Sequence, residues 1–126
     1  MDARPCYRLS VKSLTRLTGV HTDLVRVVVR AIQISATDFG VHEGMRSIER
    51  QRDLVADGVS QTMASRHLTG HAVDLWLWPL DWQDFDRWQK LVDAMVRASA
   101  ELNVPIQCGA HWQSLKDWPH FQLPRH

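Results

Sequence analysis

The stretch Ser65-Arg66-His67-Leu68-Thr69-Gly70-His71-Ala72-Val73-Asp74-Leu75-Trp76-Leu77-Trp78 constrains this chain more than any other. From Ala72 onward the residues alternate. Val73, Leu75 and Leu77 fall on one face of a strand, and Asp74 falls on the other with Ala72, Trp76 and Trp78. A strand with one apolar face must cover that face with other elements, and its carboxylate is then left on the far side. Seven residues before Asp74 stands His67, in a segment that Gly70 allows to fold back. A loop imidazole and a strand carboxylate can converge on one point, whereas adjacent strand residues diverge. Zinc takes such N and O donors at about 2.0–2.2 Å in tetrahedral geometry.

The third donor is expected at His120, in Lys116-Asp117-Trp118-Pro119-His120-Phe121. Pro119 fixes its own φ and biases Trp118 toward extended geometry, so the segment is stiff. Three protein ligands leave one position open, as in catalytic rather than structural zinc sites. Asp117 is the expected second carboxylate, placed to take and return a proton. His67 and His71 also form an H-x-x-x-H pair, but Gly70 lies between them and the Glu of H-E-x-x-H is absent. A helical zinc site is therefore not expected. His71 is read as a neighbour of the site or as surface.

The rest of the chain reads as one domain, 1–126, with no repeat, linker or low-complexity tract. Ser10 caps a short helix with Leu14 and Leu17, ended by Gly19; His21 to Ile34 is helical despite Val27, Val28 and Val29. Phe39 to Glu43 is a short strand. Ser47 caps a helix to about Asp57, with Gly58 at its stop, and Val59 to Thr69 is irregular. Asp84 to Leu102 is the longest helix, with Phe85, Trp88, Leu91, Val92, Met95 and Leu102 as its apolar stripe. Pro105 to Cys108 and Pro119 to Leu123 are short strands. Helices and short strands in this order predict an α+β fold, with helices packed on a short, mostly antiparallel sheet that carries the zinc site.

Composition excludes several classes. Fifteen Lys and Arg balance 14 Asp and Glu, for a net charge of +1, which argues against a nucleic-acid partner. No apolar run is long enough to span a bilayer, and the N-terminus has no apolar signal region, so a chain made in the cytoplasm is expected. Cys6 and Cys108 are expected as reduced thiols.

Two motifs carry a resemblance. Ser65 to Leu75 is similar to the S-x-H-x-x-G-x-A-x-D pattern of the peptidase family that includes the D-alanyl-D-alanine carboxypeptidases and dipeptidases of vancomycin resistance. Asp117-Trp118-Pro119-His120-Phe121 resembles the D-x-P-H-F motif of its phage endolysin branch, the L-alanyl-D-glutamate peptidases. The segment Glu43-Gly44-Met45-Arg46-Ser47 through Gln51, Leu54, Gly58 and Ser60 is similar to the stretch that precedes the first ligand. The likeness spans about Leu9 to Leu123.

The resemblance implies a zinc peptidase acting on the peptide stem of bacterial peptidoglycan, cutting between L-Ala and D-Glu. It implies His67, Asp74 and His120 as zinc ligands, Asp117 as acid/base and Arg46 as the cation that polarises the scissile carbonyl. From its residues alone, Arg46 reads equally as a salt bridge to Glu43 or Glu49. Ser65 is a candidate substrate contact or a loop-holding hydroxyl. The branch's W-G-G-D-W-like stretch is replaced here by Cys108-Gly109-Ala110-His111-Trp112, a change that bears on the substrate wall and leaves the role of His111 open. A phage-type enzyme would reach the wall through a holin or similar membrane lesion and act as a monomer. The competing expectations are a D-Ala-D-Ala carboxypeptidase and a non-catalytic wall-binding module with a structural zinc.

Overall fold

A computed structural model describes residues 6–60, 62–113 and 116–125. Its regular elements are α1 (Val11–Arg16), α2 (Thr22–Ile34), β1 (Phe39–Glu43), α3 (Ile48–Ala56), β2 (Ala72–Leu77), α4 (Phe85–Leu102), β3 (Gln107–Cys108) and β4 (His120–Gln122). A 3-10 helix, Arg66–Thr69, leads into β2, and another, Gly109–His111, follows β3. The expected α+β class holds.

Local chemistry starts each helix. The Ser10, Ser47 and Asp84 side chains each accept a hydrogen bond from a backbone amide of the first turn, of Ser13, Arg50 and Arg87. His21 caps α2 through Nδ1, which accepts from the Asp23 amide at 3.1 Å. The valine run does not break α2, because Leu24, Val27, Val28, Ala31 and Ile32 share a stripe whose burial outweighs the small β-branched penalty. Helix α4 stops at Asn103, which adopts left-handed geometry at φ 55°.

The four strands form one antiparallel sheet in the order β1-β2-β4-β3. Helices α2 and α4 pack against each other. Their buried stripes close over Val73, Leu75 and Leu77 of β2, Phe39 and Val41 of β1, and Phe121 of β4. The alternation of β2 is thereby satisfied, and the second face of the sheet carries Asp74, Trp76 and His120. Asp74 pairs with Glu43 of β1 and with His120 of β4, which sets carboxylate and imidazole side by side in register.

Three expectations are corrected. His67 sits on the 3-10 helix rather than in irregular loop, since Ser65 supplies a cap and Gly70 a stop. Phe85, expected in the core stripe, is 54% exposed: as the first residue of α4 it overhangs the core and approaches Trp118, ring centroids 6.1 Å apart. Trp78 lies beyond the end of β2 and is exposed. Both cysteines are free thiols, Cys6 exposed and Cys108 buried, as expected.

Candidate metal centre

His67 is placed by its flanks. The Ser65 hydroxyl accepts from the His67 amide at 3.2 Å and so caps the 3-10 helix. The His67 carbonyl accepts from the Arg46 amide at 2.9 Å, tying this helix to the segment after β1. Gly70 ends it at φ 75°, a backbone state natural to glycine, and it lies against the Gly19 carbonyl where any Cβ would collide. The imidazole is 2% exposed.

Three donor atoms then meet. His67 Nε2 lies 3.3 Å from Asp74 Oδ1, and His120 Nδ1 lies 3.2 Å from the same oxygen. Ligand atoms bound at about 2.0–2.1 Å to one tetrahedral metal stand ~3.3 Å apart, so the spacing fits. The outer nitrogens fix the tautomers. His67 Nδ1 is 2.9 Å from the Gly44 carbonyl, and His120 Nε2 is 2.8 Å from Gln122 Oε1. If those outer nitrogens carry the protons, the inner ones point lone pairs at a carboxylate oxygen. That is favourable only with a cation between them, a proton or a metal. Among the described residues, His67, Asp74 and His120 are the one such group able to hold a metal ion.

Electrostatics agree. Burial pushes the Asp74 carboxyl up, but hydrogen bonds from His120 and His67, with their charges, hold it well below the usual carboxylate range. Burial alone would lower His120, yet Asp74 raises it above an ordinary histidine. Both directions mark a pocket organised around positive charge.

Arg46 stands beside this group, and its contacts match the salt-bridge reading with Glu43. Its Nε and Nη2 donate to the two oxygens of Glu43 at 2.7 and 2.9 Å, and its Nη1 donates to Gln51 Oε1 at 2.7 Å. Its Nη2 also stands 3.8 Å from Asp74 Oδ2. The pair with Glu43 is therefore not a surface bridge but a largely buried brace that holds the guanidinium beside the Asp74 carboxylate. Asp117 is set by a tight turn. Its amide donates to the Gly109 carbonyl at 3.0 Å, and its carbonyl accepts from the His120 amide at 3.1 Å. A Cβ at Gly109 would strike the Asp117 backbone. Burial raises the Asp117 carboxyl above the ordinary range, and the nearby Asp74 charge adds to this against the pull of His120, His67 and Arg46.

His71 stands apart from this group. Its Nδ1 is 2.7 Å from Thr69 Oγ1, and its ring pairs with His21 at 5.4 Å, outside the metal group. His111 is exposed and also outside it. Three participants escaped sequence reasoning: the Gly44 carbonyl, Gln122 and Trp112, whose ring lies 5.2 Å from that of His120. Only Gln122 left a trace, as it stands two residues from His120 and thus on the same strand face.

The profile of the family "Phage L-alanyl-D-glutamate peptidase" matches residues 5–122. The chain belongs to this family. Within it, the L-alanyl-D-glutamate peptidase of Escherichia phage T5 is 27% identical over 125 residues, covering 94% of this chain and 90% of its own. The crystal structure of the Serratia marcescens L-Ala D-Glu endopeptidase ChiX superposes with a TM-score of 0.86 at 45% identity, covering 93% of this chain and 90% of that one. Membership makes the chain a peptidase, and its His-Asp-His group has the donor set to hold a metal ion.

Proposed function

We propose that this enzyme cleaves the L-Ala–D-Glu bond of the peptidoglycan stem peptide, using one zinc ion held by His67 Nε2, Asp74 and His120 Nδ1. The observation that carries the reading is the shared approach of both inner imidazole nitrogens to Asp74 Oδ1, at 3.3 and 3.2 Å, within a family of L-Ala–D-Glu peptidases. The mixed N and O donor set suits zinc. When bound, the metal supplies a Lewis acid that polarises the carbonyl and makes water more acidic.

The protein's own groups do the rest. Asp117 removes a proton from the attacking water and returns it to the leaving amine of D-Glu. The raised carboxyl pKa makes Asp117 a stronger base toward the water and brings it nearer the working pH, where one group serves as base and then as acid. Three of the five N–H donors of Arg46 are engaged by Glu43 and Gln51, which leaves two for the developing oxyanion. Glu43 and Gln51 keep that cation from wandering. Ser65 accepts from the His67 amide and keeps its own O–H to donate to the stem peptide. Residues 1–126 act as one catalytic unit and as a monomer.

No helix among the described residues is long and apolar enough to cross a membrane, and we place access to the wall with a holin or similar lesion. Digestion of purified sacculi followed by mass spectrometry tests the reading. New N-terminal D-Glu, lost on chelation, is expected, and free D-Ala would sink it in favour of a carboxypeptidase. Asp117→Ala should retain metal in elemental analysis and lose activity by at least about a hundredfold. Near wild-type cleavage by that variant would remove Asp117 from its role.

A further inference from the structure

A row of aromatic rings starts at the metal site and is not used by the reaction. Trp76 follows Asp74 by two residues on the same face of β2. His42 of β1 stacks flat on it, centroids 3.6 Å apart at 7°. Trp82 meets Trp76 at 5.7 Å and 80°, so the two indoles form a corner. Trp82 in turn lies on the fully buried Trp88 at 5.2 Å and 17°, yet is itself 48% exposed.

This exposed indole is rigidly mounted. Trp88 Nε1 donates to the Asp81 carbonyl at 3.1 Å, and the Gln83 amide donates to Asp81 Oδ1 at 2.9 Å. Arg87 clamps the same turn, donating to the Pro79 carbonyl and to Asp84, both at 2.8 Å. A flat apolar surface held this firmly is preorganised, and a ligand placed on it loses little extra freedom.

We propose that the corner made by Trp76 and Trp82 seats the muramyl sugar to which the stem peptide is attached. The inference rests on the proposed L-Ala–D-Glu specificity. L-Ala is joined directly to the lactyl group of that sugar, so the scissile bond lies one residue and one short acid from a pyranose ring. An extended residue spans about 3.3–3.6 Å, which puts the ring ~7 Å from the reacting carbonyl. Same-face neighbours on a strand are about 6.6–6.8 Å apart, so Trp76 lies at that reach from Asp74. In the other direction the same face offers only Ala72, which is wholly buried. A pyranose presents a face of C–H groups, and the negative face of an indole receives them. The sheet thus carries chemistry at Asp74 and sugar recognition two residues on.

The test compares one substrate with and without its sugar: the disaccharide tetrapeptide from muramidase digestion, and the same tetrapeptide freed by an amidase. The wild type should cleave the disaccharide form with the higher kcat/KM. Trp82→Ala should lower that value by about tenfold while leaving the free peptide unchanged, and Trp82→Tyr should restore most of the loss. An equal fall on both substrates, or none on either, overturns the sugar subsite while leaving the peptidase reading intact. A wild type that cuts neither substrate overturns the peptidase reading and the subsite with it.

Discussion

A single carbonyl decides how Asp117 is presented. Gly109 accepts the Asp117 amide and lies so close to that residue's backbone that a side chain there would collide with it. Gly109→Ala should therefore push Asp117 off position without touching a metal ligand. The expected result is full metal content by elemental analysis with turnover reduced at least about tenfold, since small displacements at a reacting centre are costly. The neighbouring Cys108 gives a second prediction. Burial pushes its thiol up to about 11, whereas Cys6 is exposed. Only the thiolate reacts, so an aromatic disulfide reagent at neutral pH should titrate one thiol in the native protein and two after denaturation. Two rapid equivalents in the native state would refute the buried setting of Cys108. The residues of the candidate metal group were legible because their chemistry is carried by type and spacing: a histidine before a glycine turn, an aspartate on the wrong face of an apolar strand. The contacts made by Gln51 and the Gly44 carbonyl were not. Both are common groups whose importance comes from which neighbour folding gives them, and a one-dimensional pattern does not record that.

Element boundaries were most readable where a side chain caps its own helix. Ser10, Ser47 and Asp84 all do so within three residues, an interaction that needs no tertiary partner. The 3-10 helix carrying His67 was harder to see. It is too short for a periodic signal, and it persists because Gly70 rests on the Gly19 carbonyl and His21 donates to the Gly70 carbonyl at 2.8 Å. Gly70→Ala should destabilise the protein by roughly 1–3 kcal/mol in denaturant titration and weaken metal binding with it. The pairing of β2 with β4 brings a pH dependence of its own. Folding raises His120, so the metal-free ion pair with Asp74 contributes fully below the unfolded histidine value and fades as pH climbs through the folded one. Folding depresses Asp74, so the same contribution is present above the unfolded carboxylate value and is lost on acidification through the folded one. The metal-free protein should thus gain most from this pair between about pH 4 and 6.5, so His120→Ala should cost most stability there. A loss no larger in that window than at about pH 2 or about pH 9 would contradict it.

At the scale of the molecule, a metal held as proposed would join three segments: the 3-10 helix before β2, β2 itself and β4. A ligand bound only by the folded state stabilises it by mass action. At free metal about a hundredfold above its Kd this amounts to ~2.7 kcal/mol, or roughly 10 °C in Tm for a chain of this size. The gap between loaded and chelated protein should widen from about pH 6 to about pH 8, because the metal competes with the His120 proton that the metal-free protein holds unusually well. Scanning calorimetry with and without chelator at several pH values measures it directly. A gap that shrank with rising pH would exclude His120 as a ligand. The antiparallel β2–β4 pair also governs when the enzyme comes into being. Asp74 and His120 face each other across that ladder, but α4 and β3 must be synthesised between them. A growing chain thus has two of the three proposed ligands for as long as the ribosome still covers β4. The third arrives only after α4 and β3 have been made. With the proposed ligand set, an activity against the cell wall is in this way withheld from every copy that stops before β4.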